Sequence, residues 1–168
     1  MTYLFSGTAR DMMSAVLADL EGASRPGPNQ EAHLRRAMAE LVGLYDRQAA
    51  DGAADPDELA RFRAESARAL VQLGDAIPGY VAVTAAHAEI PDEDEWYDLA
   101  LRRSAIQSLL DDYEGTDVPA LVDRGELAEL DADLRRAGAE LGPVPESAVP
   151  AGLPDTHWWW RVPDRAAA

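Results

Sequence analysis

Leu127-Ala-Glu-Leu130-Asp-Ala-Asp-Leu134-Arg-Arg-Ala137-Gly-Ala-Glu-Leu141 places an apolar residue at alternating steps of three and four. That spacing keeps Leu127, Leu130, Leu134, Ala137 and Leu141 on one side of a helix with 3.6 residues per turn. It is the seam of a helix that packs on other helices, and no strand pattern produces it. The same period recurs upstream. Met13, Val16, Leu17 and Leu20 form one stripe behind Ser6 or Thr8 as N-cap. Leu34, Met38, Leu41, Val42 and Tyr45 form a second behind Asn29. Asp55-Pro56 is a helix start, with proline where the amide is not needed. Leu59, Phe62, Ala69, Leu70 and Leu73 follow it and stop at Gly74. A longer stripe runs through Trp96, Leu99, Ile106, Leu109, Leu110 and Tyr113, spanning roughly 94–114.

Residues 80–90 are ambiguous between helix and strand, because Val81 and Val83 alternate with smaller residues. No second strand-like run exists to pair with them, and a lone strand is not viable. The segment is therefore expected as a short helix after Pro78-Gly79, with Tyr80, Val83, Thr84 and His87 on one face. A short turn carrying Leu121 and Val122 is expected to end at Gly125. Beyond Gly142 there is no period, and Pro143, Pro145, Pro150, Pro154 and Pro163 favour extended chain. Asp155 is expected to cap one helical turn carrying His157 to Trp160, and the final Arg-Ala-Ala-Ala to fray. The expected fold is all-α: an antiparallel helical bundle of five main helices in 1–142, with an irregular, tryptophan-containing tail, 143–168, packed on it as part of one domain.

Composition narrows the chemistry. The 168 residues are 47% hydrophobic and 27% charged, the balance of a globular chain. Cysteine is absent, which excludes disulfides, thiolate metal sites and thiol nucleophiles. Lysine is absent too, and all 15 basic residues are arginine, so Schiff-base chemistry and a P-loop are excluded. The richness in Ala, Gly, Pro and Arg fits a GC-rich bacterial genome. The first residues lack a signal-peptide pattern, and no apolar run approaches the ~20 residues of a membrane span. A cytoplasmic protein is expected. The net charge of −16 opposes binding to nucleic acid or anionic membrane.

The densest functional lead is the tail: His157, Trp158, Trp159, Trp160 and Arg161. One indole buries roughly 150–250 Å², so such a cluster either docks a partner or clasps the body of the protein. Neighbouring side chains on a turn diverge by about 100°, so the three rings are not expected to point one way. His87 is the candidate general base, while His33 is expected to be exposed. The acidic groups His87 to Asp98 and Asp111 to Asp117 are expected as solvated helix ends rather than metal sites. Arg35-Arg36, Arg102-Arg103 and Arg135-Arg136 lie four residues after Glu31, Asp98 and Asp131, which suggests ion pairs along each helix. Arg103 stands apart, because it falls on the core stripe with Trp96, Leu99 and Ile106 and needs a partner or a ligand there.

The expected function is a non-catalytic accessory or protein-interaction module acting through apolar helix faces and the tail tryptophans, on another protein or a second copy as a homodimer. The alternative is a small helical enzyme or small-molecule binder with a pocket near Tyr80, His87, Trp96, Arg103 and the tail. A third reading is an acidic mimic of nucleic acid.

Overall fold

A computed structural model describes residues 5–162. They form a helical bundle of six α-helices, with no strand among the described residues. The helices are α1 (Ala9–Ser24), α2 (Gln30–Asp51), α3 (Pro56–Gln72), α4 (Ala76–Glu89), α5 (Trp96–Asp111) and α6 (Arg124–Leu141). Short 3-10 turns occupy Glu93–Glu95, Val118–Leu121, Glu146–Ala148 and Trp158–Arg161.

Local chemistry sets the helix starts. Thr8 and Asp11 close a capping box on α1, each side chain taking the other's backbone amide. The Asp55 carboxylate accepts from the amides of Asp57 and Glu58, with Pro56 at the first position of α3. Asn29 occupies the N-cap of α2 without a side-chain cap bond.

The stripes read from the sequence face inward. Val16, Leu20, Met38, Leu41, Leu70, Leu99, Ile106, Leu109, Leu130 and Leu134 are all buried. α1 packs mainly on α2, α4 lies against α6 and α5, and α5 runs beside α2. α5 is therefore central, and thirteen of its residues from Trp96 to Leu110 are buried.

Three boundaries differ from expectation. The segment at 80–90 belongs to a full helix of 14 residues that starts at Ala76 and takes in Pro78 and Gly79. Proline is tolerated there because first-turn amides have no partner inside the helix. α6 begins at Arg124 behind Asp123, which accepts from the amide of Glu126, so Gly125 lies inside the helix. The tail turn is a 3-10 turn with His157, not Asp155, at its N-cap. Pro163 and the final Arg-Ala-Ala-Ala lie outside the described residues.

Candidate functional site

The described part of the tail is held at several points. The Ala151 amide donates to Asp46 Oδ1 at 2.9 Å, and Gly152 lies against the backbone of α2. A Cβ on Gly152 would come within 2.7 Å of the Tyr45 carbonyl oxygen, and its φ of +71° also favours glycine. The chain then turns into the bundle. His157, Trp159 and Trp160 are buried and meet at one atom, the Ser104 hydroxyl in the middle of α5. Both indole Nε1 groups donate to Ser104 Oγ, at 2.9 Å from Trp159 and 2.8 Å from Trp160.

A hydroxyl offers two acceptor sites and one proton. With both acceptor sites taken, the Ser104 proton goes to His157 Nδ1, 2.9 Å away. His157 is therefore the neutral tautomer with its proton on Nε2. Burial holds its pKa down to about 4, against a favourable pull from Asp111 and a further lowering by Arg103. His157 Nε2 is buried with no partner among the described residues.

Trp158 is the divergent ring, half-buried under the Arg135 guanidinium at 4.3 Å. Arg161 reaches Glu146 within the tail at 3.8 Å. The adjacent rings thus diverge in part: two converge on Ser104 and the third turns outward.

Arg103 has the partner its position demanded. It forms a two-pronged ion pair with Asp131 of α6, at 2.7 and 3.2 Å, and donates to Gln107 at 3.0 Å. Its guanidinium also lies 4.2 Å from the Trp159 ring. Asp131 was expected to pair along its own helix with Arg135, but Arg135 covers Trp158 instead.

The anticipated pocket of Tyr80, His87, Trp96, Arg103 and the tail does not assemble as such. Trp96 and Arg103 lie in the core. The Trp96 side packs near Gly138, where Val162 also arrives. His87 is exposed, so the shared face expected for Tyr80, Val83, Thr84 and His87 splits: Tyr80 and Thr84 point in, Val83 and His87 point out. A register set by Ile77, Val81 and Ala88 turns that edge of α4 to solvent.

His33, expected to be exposed, is half-buried and meets Asp19 Oδ1 at 2.6 Å, beside Arg36. Glu40 joins this cluster between α1 and α2. Its carboxyl is pushed up to about 7 by burial and by the Asp19 charge. The acidic run from His87 to Asp98 is solvent-exposed at its carboxylates. Asp112 is not a free helix end: it accepts from the Tyr45 hydroxyl at 2.6 Å and pairs with Arg63 at 3.2 Å. No group of three or more metal-ligating side chains occurs among the described residues.

A groove opens between the start of α2 and α4, bordered by Arg102 of α5. It has a volume of about 310 Å³, with Ala23, Leu34, Ala76, Gly79, Tyr80 and Val83 along its apolar surface. Gln30, Glu31, Arg35 and Arg102 supply its polar groups. Arg102 is only 8% exposed, yet one of its nitrogens alone is occupied: Nε donates to Asp98 at 2.8 Å. Its guanidinium lies 5.5 Å from the Tyr80 ring. Its two Nη groups donate to no described residue. Arg35 makes no ion pair with Glu31 or any other described residue. Burial pushes the Tyr80 hydroxyl far above its ordinary range, Arg102 and Arg35 pull against that shift, and Asp98 adds to it.

No protein-family model, curated protein or solved structure matches this chain. No single described helix is long and apolar enough to cross a membrane.

Proposed function

We propose that the protein is a non-catalytic interaction module of a bacterial cytoplasm, and that it docks through the outer face of α4 and the groove beside it. The supporting observation is a run of exposed, uncharged surface at Pro78, Gly79, Ala82, Val83 and Ala86, on a chain of net charge −16. Val83 is 43% exposed, and Ile90, just past the helix end, is 90% exposed. A contiguous apolar patch depleted of charge is a mark of an interaction surface. The occupant is an apolar segment of another protein that carries a carboxylate. Charge complementarity argues for the carboxylate, since Arg35 and Arg102 border the groove without full neutralisation. Trp159 and Trp160, fully engaged with Ser104, take no part in docking.

Site-specific photo-cross-linking of the full chain in its own cells tests this reading. A photoreactive residue at Ala82 or Ala86 is expected to capture one protein through an apolar segment, and Val83→Glu is expected to abolish capture. The same residue at the exposed Glu129 on α6 is the control. Equal capture from both helices, no capture from α4, or capture of a second copy of this chain would each overturn the proposal.

A further inference from the structure

We infer that the groove receives the C-terminal residue of a partner chain, its side chain against the apolar floor and its α-carboxylate on Arg102 and Arg35. This rests on the reading of the groove as the docking surface and names the group that anchors there.

The argument starts from Arg102. Arg102 is 8% exposed as a residue, and its Nη groups keep contact with water while meeting no protein acceptor, so an entering acceptor would replace water there. Here Asp98 takes Nε alone, and the Tyr80 ring covers one side. The two Nη groups remain for an acceptor that enters the groove. Their planar fork fits the two oxygens of a carboxylate. Arg35 adds a second guanidinium without an ion pair on the same rim. The groove's own carboxylate, Glu31, does not pair with it.

The apolar floor then selects among carboxylates. Ala23, Leu34, Ala76 and Tyr80 call for a hydrocarbon group beside the charge. An aspartate or glutamate side chain brings the charge without that group. A C-terminal apolar residue carries both on one Cα, and capture of a chain end by backbone and cationic donors is a recurring recognition mode. The volume of about 310 Å³ is at the low end for ligand sites and suits a single residue better than a long acyl chain. Gly79 and Val83 are lining residues that are themselves exposed, so residues preceding the chain end would lie along the uncharged face of α4.

Titration of the isotope-labelled full chain with acetyl-Ala-Ala-Ala-Leu as free acid, as C-terminal amide, and with octanoate provides the test. The free acid is expected to shift the Gly79 and Val83 amide resonances saturably and to bind about ten-fold more tightly than the amide. Arg102→Gln is expected to remove that preference. Because Arg102 is buried, Arg35→Gln serves as the second variant: it alters an exposed residue without an ion pair and is expected to weaken the acid several-fold but not the amide. Equal affinity for acid and amide, or no shift with either, would overturn the anchor. Tighter binding of octanoate than of the peptide acid would overturn the chain end as its source. Capture from α4 in the cross-linking experiment without an acid preference would remove the anchor alone, whereas acid binding without capture would remove the protein partner alone.

Discussion

Arg102 and Arg103 are neighbours in sequence and both are buried in α5, yet about 100° of helix rotation turns them to different partners, Tyr80 of α4 and Asp131 of α6. On one side Arg103 meets Asp131, Gln107 and the Trp159 ring, so its charge is fully answered by the protein. On the other, Arg102 meets Asp98 at one nitrogen and leaves the rest of its fork over an apolar groove. The first arrangement holds the tail down. The second leaves binding capacity unused. Burial of a charge thus does not by itself mark a binding site, and the decisive observation is whether its donors are matched.

The clasp side should break at the largest energetic scale. Trp160→Ala removes a fully buried indole and its bond to Ser104, and is expected to cost about 3–5 kcal/mol in urea unfolding. Ser104→Ala is a smaller change of volume but leaves two indole donors unmatched at once. A loss on the order of 3 kcal/mol is expected, measured the same way. If either variant were nearly neutral, the tail would not be the structural half of the comparison.

Acid sharpens the same point through His157. Its pKa is about 4 in the folded chain against 6.5 when unfolded, so below the unfolded value the unfolded chain binds the additional proton. The stability it contributes is intact above pH 6.5 and is lost as pH falls through about 4, a total on the order of 3 kcal/mol. Glu40 has the opposite sign. Its raised carboxyl contributes stability below pH 4.5 that is lost as pH rises through about 7. The two windows overlap and oppose each other, so relative to the parent His157→Phe should lose stability as pH rises from about 4 to 6.5, and Glu40→Gln should gain it as pH rises from about 4.5 to 7. A difference between His157→Phe and the parent that stays constant from pH 4 to 6.5 would assign the acid loss of stability to other groups. The smallest effect is expected at Trp158, where loss of the ring under Arg135 should cost about 1 kcal/mol or less.

The helical core was legible from periodicity because Leu127 to Leu141, and the stripes before it, repeat at the spacing of a helix face. Asp55 and Pro56 announced their helix start by residue type alone, whereas Thr8 was one of two N-caps the sequence offered beside Ser6. Arg103 was legible as a buried charge in need of a partner, though not the partner itself. Asp131 lies on another helix, and local spacing pointed to Arg135 instead. Ser104 carried no signal: a serine between arginine and alanine looks the same whether it faces water or three aromatic rings. Arg102 was equally silent, because its expected ion pair with Asp98 is present, and only the three-dimensional structure shows how little of the guanidinium that pair occupies. The orientation of His87 failed for a related reason. Apolar residues surround most of α4, so composition did not define which edge would be covered.

The two arginines also supply the most direct measurement. Urea unfolding of Arg103→Gln and Arg102→Gln, at matched pH and salt, compares a matched buried charge with a half-matched one. Arg103→Gln strands Asp131 and is expected to lose about 3 kcal/mol, whereas Arg102→Gln releases the exposed Asp98 to water and should stay within about 1 kcal/mol of the parent. Equal losses, or a larger loss at Arg102, would contradict the division of α5 into a clasp side and a binding side.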